Sequence, residues 1–239
     1  MPNWVTNILT VDADEEKRKE IFEAIKDDTD GYGSIDFNKI IPMPESLNIE
    51  SGSNEDYAIA IYLTERLTLD PTAVGLGNYI SNMFCENWQD EVINRIQSSE
   101  YVLSRMDDLY EMGKQYISNI KNYGFSTWYD WCRVVWGTKW NATSNSFDKE
   151  MNNDIQFDTA WNTPEPIIIG LSEMFPDVTF TVKYADENFG CNCGEYACKN
   201  GVVVFEDVPF DGSEEAMELA SEVLGYYPEY DDEDEYDEE

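Results

Sequence analysis

Asn3–Val11 (NWVTNILTV), Asp12–Ile25 (DADEEKRKEIFEAI) and Ser34–Ile41 (SIDFNKII) decide the reading of the fold. The first is rich in β-branched residues, with Val5, Leu9 and Val11 on one face of an extended chain, as in a strand buried on one side. Asp12 is placed to cap a helix, with Glu15 three residues on as its capping-box partner. Ile21, Phe22 and Ile25 then give that helix an apolar stripe. Asp27–Gly33 is a polar, turn-rich loop. SIDFNKII has strand character and ends at Pro42 and Pro44, which cannot donate to a ladder. The segment therefore reads β-α-β, for which a parallel pair with a right-handed crossover is the expected geometry.

From Asn54 to Tyr123 the pattern becomes helical. Tyr57, Ile61 and Leu67 open one helix, a glycine-containing segment spans Val74–Trp88, and a long helix is expected over Gln89–Asn122. Ile96, Leu103, Tyr110 and Ile117 recur there every seven residues, with Ser99, Met106, Gly113 and Ile120 at the complementary positions. Small residues at two of these positions favour packing inside a helical insertion over a dimer zipper. Ser126–Asn141 (STWYDWCRVVWGTKWN) follows and holds four of the seven tryptophans. Trp128, Trp131, Cys132, Val135 and Trp136 share one helical face, with Thr127 as expected N-cap and Gly137 as expected end. Each buried aromatic removes roughly 150–250 Å² from water, so this helix reads as core rather than as a stacking platform for bases or sugars. Trp4, Trp140 and Trp161 join Trp128, Trp131 and Trp136 as expected structural core.

Strand signals then resume. Asp154–Trp161 (DIQFDTAW) places Ile155, Phe157, Thr159 and Trp161 inward and Asp154, Gln156, Asp158 and Ala160 outward. Thr163 is expected to cap a helix with Pro164 at its first position, a core face of Ile168, Leu171 and Phe175, and a stop at Pro176. Val178–Tyr184 alternates again, and Asn200-Gly201 is a hairpin signal leading into Val202–Val208. Ser213 is the expected cap of a last helix, Glu214–Leu224. Nine of the eleven residues after Pro228 are acidic, a block expected to be disordered and solvated. The expected fold class is α+β, a ferredoxin-like β-α-β sandwich. Residues 1–48 carry its first β-α-β part and 49–123 a large all-helical insertion. Residues 124–227 hold the Trp-rich helix and the second half, and 228–239 an acidic disordered C-terminal tail.

Composition narrows function. The 239 residues are 42% hydrophobic and 14% aromatic, which supports a packed core. Against 15 Lys+Arg stand 50 Asp+Glu, a formal net charge of −35; without the tail the rest of the chain still carries −26. Such a field repels nucleic acid and anionic membranes and attracts basic protein surfaces, and direct nucleic-acid binding needs the cations this chain lacks. There is no histidine, which excludes His-containing Ser and Cys triads and HExxH zinc sites. No apolar run reaches the ~18 residues that span a bilayer. Five cysteines, an odd number, without a secretory signal imply reduced thiols in a cytoplasmic compartment.

Three clusters invite a chemical reading. Cys191, Cys193 and Cys198 are three thiols within eight residues, but CxC-x4-C is not a zinc-knuckle spacing, and they read as loop cysteines beside a glycine turn. Asp186, Glu187 and Asn188 with Glu195 offer oxygens to calcium without the spacing of a calcium loop. Gly75-Leu76-Gly77 lacks the third glycine and preceding strand of a dinucleotide fingerprint. No catalytic residue, metal or cofactor is expected.

MPNWVTN at the start, FNKIIPMPESL (Phe37–Leu47), WCRVVWGTKWNA (Trp131–Ala142) and FDTAWNTPEP (Phe157–Pro166) together resemble the YubB ferredoxin-like family, which also takes in phage Api-type proteins. The matching blocks span most of the chain apart from the helical insertion and the tail. The resemblance implies a ferredoxin-like fold without an iron–sulfur cluster and a plasmid or phage context. It brings no catalytic residues.

The expected function is that of a non-enzymatic acidic protein from a phage or related element. It would bind and inhibit a basic, nucleic-acid-binding host defence enzyme, of CRISPR or restriction type, as a DNA mimic. The expected contacts are Asp107, Asp108 and Glu111, with Asp231, Asp232, Glu233, Asp234 and Glu235 of the tail. The alternative is a structural or regulatory module that engages a protein through its helical insertion. A third reading, a glycosidase-like enzyme with paired carboxylates, requires environment-tuned acids that no motif locates. The oligomeric state is not legible.

Overall fold

The computed structural model describes residues 2–69, 99–147 and 154–228. It has two compact units, Met1–Pro42 with Cys132–Glu239, and Met43–Trp131. Along the chain run β1 (Trp4–Asp12), α1 (Glu15–Ile25), α2 (Asn54–Leu69), α3 (Glu100–Leu103), α4 (Met106–Tyr123), α5 (Trp128–Trp131), β2 (Thr143–Phe147), β3 (Ile155–Ala160), α6 (Glu165–Met174), β4 (Thr179–Asp186), β5 (Gly194–Lys199), β6 (Val202–Asp207) and α7 (Glu214–Leu224).

The first unit is built on one antiparallel sheet of order β2-β3-β1-β4-β5-β6. β1 lies at its middle, with Trp4 opposite Ala160 on one side and Val5 opposite Asp186 on the other. The order 2-3-1-4 belongs to two interleaved β-α-β units, and β5 and β6 extend the sheet beyond β4. Val5, Leu9, Val11, Ile155, Phe157, Phe180 and Val182 are buried on one face. α6 lies on that same side through Ile167, Ile168 and Leu171, with Thr163 Oγ1 3.0 Å from the Tyr196 hydroxyl. α7 covers part of the opposite face, where Ala216, Ala220 and Val223 pack on Ala185 and Cys193.

Several local expectations are corrected. Ser34–Ile41 is not a strand; Phe37–Lys39 is a 3-10 turn. The Asp36 carboxylate accepts from Asn38 N at 3.0 Å, and Asn141 Oδ1 takes the Phe37 N–H at 2.9 Å. Side chains thus supply what a ladder would have supplied. The strand parallel to β1 is β2, which comes only after the second unit of the chain, and β3 separates the two, so they do not pair. Asp14 rather than Asp12 caps α1, accepting from Lys17 N at 2.8 Å. Thr163 does not cap α6, whose N-cap is Pro164. Ala160, expected outward, is buried, while Trp161 leaves the strand at φ 75°. Gly194–Lys199, read as a cysteine loop, is strand β5. The Asn200-Gly201 turn has φ values of 49° and 77°, the primed-turn geometry that matches strand twist. Ser213 caps α7 as expected, accepting from Ala216 N at 3.1 Å.

In the second unit α2 packs on α4 around Ala58, Ile59, Leu109, Tyr116 and Ile117. Gly113 lets the two helices approach: a Cβ there would overlap the Ala58 carbonyl. Tyr116 donates to Glu50 O at 2.7 Å, and Asn119 Nδ2 donates to Ser46 O and Ser126 O, each at 2.8 Å. The expected heptads form the seam only in part: Gly113 and Ile117 are buried and Tyr110 and Ile120 pack against the same core, whereas Leu103 and Met106 are exposed and Val102 and Leu109 are buried instead. The long helix is interrupted at Ser104–Arg105. Ile96, the Val74–Trp88 segment with Gly75-Leu76-Gly77, and the side chain of Leu67 lie outside the described residues.

Trp128–Trp131 falls in the second unit and Cys132–Trp136, which winds as a π-turn, in the first. Trp131 and Trp136 are buried, while Trp4, Trp128, Trp140 and Trp161 are half-buried. Trp136 Nε1 donates to Ile41 O at 2.9 Å. Lys139 Nζ sits 4.4 Å from the Trp140 ring centre and 5.0 Å from that of Trp161, with Trp4 next to Trp140 at 5.8 Å. This cation and the rings around it attract one another and pin this segment to the end of β1.

Candidate interaction surface

Of the expected contacts, Asp107, Asp108 and Glu111 are exposed on the first turns of α4. Arg105 Nε lies 3.8 Å from Asp108, and Lys114 Nζ 3.1 Å from Glu111. These exposed pairs are worth little in stability, yet they offset part of the local charge, and of the three acids Asp107 has no ion pair with a described Lys or Arg. Asp231, Asp232, Glu233, Asp234 and Glu235 lie outside the described residues.

A more uniformly acidic surface runs from β6 through the following loop to α7. It carries Glu206, Asp207 and Asp211, then Glu214, Glu215, Glu218 and Glu222, all exposed. Glu214, Glu218 and Glu222 recur every fourth residue, which sets a column of carboxylates at about 6 Å intervals along the helix. Among the described residues one cation reaches it: Lys183 Nζ on β4 contacts Glu222 at 2.6 Å, a bond that raises the lysine's pKa. The signal was present in the sequence, because no Lys or Arg occurs after Lys199.

On the same face of the sheet, Glu195 stands between Lys183 and Asp207 across β4, β5 and β6. Beside them an open cleft of about 380 Å³ has Glu195, Asp207 and Glu215 as its acids and Pro209, Phe210 and Leu219 as apolar walls. Neither Asp207 nor Glu215 forms an ion pair with a described Lys or Arg.

The remaining polar clusters are occupied by their own neighbours. Asp186 is buried, and its carboxylate accepts from Asn188 N at 2.8 Å, Asn3 Nδ2 at 3.1 Å and Asn192 Nδ2 at 3.2 Å. It ties the end of β4 to the chain start and the turn before β5 rather than presenting oxygens to an ion, and Glu195 faces the cleft instead. Cys193 and Cys198 lie on opposite faces of the sheet: Cys193 packs against Ala216, and Cys198 pairs with Phe180 on the α6 side. Burial pushes the Cys198 thiol up to about 11 and raises that of Cys193 as well, so both stay protonated and unreactive near neutrality. Among the described residues no three His, Cys, Asp or Glu side chains come together to hold a metal. No described helix is long and apolar enough to cross a membrane.

The topology and the sheet define a ferredoxin-like domain, with mixed helices on an antiparallel sheet. Residues 136–227 match the family model described as the ferredoxin-like domain in Api92-like protein. A crystal structure of a protein api92 from Yersinia pseudotuberculosis is similar at 13% identity and a TM-score of 0.36, over 89% of this chain and 100% of that one. None of the curated proteins matches the chain.

Proposed function

We propose that this is a non-enzymatic, highly acidic protein of the YubB-like, phage and mobile-element kind. It binds and inhibits a basic nucleic-acid-binding host protein, of CRISPR or restriction type, by offering carboxylates where that protein receives phosphates. The observation that carries the reading is the seven-acid run from Glu206 to Glu222, with no cation of its own, on a folded and exposed surface. Carboxylates on a helix are held at fixed intervals, and a field of this sign speeds encounter with basic partners. The acids of α4 and the tail add to the field.

The test is DNA cleavage by a purified CRISPR nuclease and a purified restriction endonuclease, with this protein titrated in. Inhibition that added competitor DNA or salt relieves, and that Glu214→Gln/Glu218→Gln/Glu222→Gln weakens, supports mimicry. Inhibition unchanged by salt and by these substitutions, or unimpaired cleavage by both enzymes, counts against it. A second reading, a regulatory module acting through the helical 49–123 segment, is favoured by Tyr101 and Leu103, both about half exposed on α3. Asp107→Lys/Asp108→Lys/Glu111→Lys separates the two: mimicry loses affinity, whereas an apolar contact through α3 is little changed.

A further inference from the structure

We infer that the outer edge of β6, with the cleft beside α7, docks an extended segment of a partner protein in which Lys or Arg alternates with apolar residues. Three features of one continuous stretch lead there. Val202, Val204 and Phe205 on β6 are 56%, 55% and 48% exposed, and Phe210 just beyond is 85% exposed. Isolated apolar side chains are ordinary on a surface, but this many in nine residues form a patch of the kind that marks an interaction site. β6 also closes the sheet order, so its outward N–H and C=O groups meet no described strand. Finally, the carboxylates of Glu195, Asp207 and Glu215 line the cleft at the end of that edge.

Charge selects the occupant. Natural edge strands are guarded by lysine, proline or a bulge. Here there is no lysine, and Pro209 comes only after the strand. A bulge is present, Val204 being the extra residue between the pairs Ala197–Phe205 and Cys198–Val203, and the run from Phe205 to Asp207 beyond it is regular. Glu206 and Asp207 disfavour a second copy of this chain, which brings another −35, and favour a strand carrying cations. Main-chain bonds to β6 supply affinity in such strand addition, and alternate side chains supply selectivity. The apolar set covers Phe205 and Phe210, and the cations enter the cleft. This site rests on the preceding reading only in taking a basic protein as partner.

The probe is a labelled peptide of about eight residues, the order of length a strand-addition site accommodates, with lysine alternating with valine. Its control alternates lysine with glycine and has equal charge. Both are titrated into the full chain at physiological salt, with amide hydrogen exchange followed in parallel. The lysine–valine peptide is expected to bind at least tenfold more tightly than its control and to slow exchange over Val202–Val208. Phe205→Ser/Phe210→Ser and Asp207→Asn/Glu215→Gln each weaken it about tenfold. These side chains are exposed, and an unchanged melting temperature verifies the fold. Equal binding of the two peptides, protection elsewhere than β6, or full binding by both variants overturns the site. Protection of Val202–Val208 that grows with protein concentration and no peptide assigns the edge to a second copy and also overturns it. Loss of this site with nuclease inhibition intact leaves the mimicry reading standing, and the reverse result leaves the site.

Discussion

β1 and β6 are written in nearly the same alphabet and meet opposite fates. In WVTNILTVD every second residue is buried, while in VVVFED all six are exposed. β1 has a strand on each side and α7 and the opposing core across its faces; β6 has β5 alone and no described partner beyond. Burial is therefore a property of a strand's position in the sheet, and hydrophobicity alone does not assign that position. An apolar strand left at the rim is free to serve another chain.

The contrast is broken most severely from the buried side. Leu9→Ala should destabilise the first unit by about 3 kcal/mol, because the cavity adds to the lost transfer energy; chemical denaturation measures it. Asp186→Ala comes next, at roughly 2 kcal/mol, since Asn3, Asn192 and the Asn188 N–H all lose their acceptor; the same titration reads it. A gain of a few degrees in melting temperature at pH 7 is expected for Glu55→Gln in the second unit. Burial raises the Glu55 pKa above its ordinary value of 4.5 although a hydrogen bond from Ser126 lowers it. The folded state therefore holds that proton more tightly than the unfolded one. The stabilisation is complete below about pH 4.5 and is lost as pH rises through the raised folded value. The gain from Gln should accordingly shrink to nothing in thermal scans run on the acid side. Smallest of all, Val204→Ser on β6 should change stability by no more than about 0.5 kcal/mol. A large loss there would mean that the edge is covered in the native state.

Period-two patterns identified β1, β3 and β4 because alternation is local and strong, and the Asn200-Gly201 turn identified β6. Helix α7 and its Ser213 cap were equally legible. Three things were not. Whether SIDFNKII pairs was decided by Asn141, a residue one hundred positions away that competes for the Phe37 N–H. β5 was hidden because GEYACK is half small residues, which suit a strand packed against α6 but do not signal one. The seam of α4 was only partly legible: the seven-residue count finds Gly113 and Ile117, but it admits Leu103 and Met106, whereas the break at Ser104–Arg105 resets the phase and puts Leu109 and Tyr116 inside. For the candidate surface, the acidic residues were visible, but their grouping against an apolar edge depends on β5 and β6 being neighbours.

The position of β1 at the middle of the sheet has a consequence during synthesis. Both of its partners, β3 and β4, are encoded more than 140 residues downstream, beyond the whole Met43–Trp131 unit. At about 5–20 residues per second the ribosome has β1 in the open for roughly ten to thirty seconds before either flank exists. The helical unit, in which α2 packs on α4 within one continuous stretch of chain, has time to fold first. The strand that ends with a neighbour on each side thus waits that long without either, and its alternation with Thr6, Asn7 and Thr10 keeps the waiting segment from being uniformly apolar.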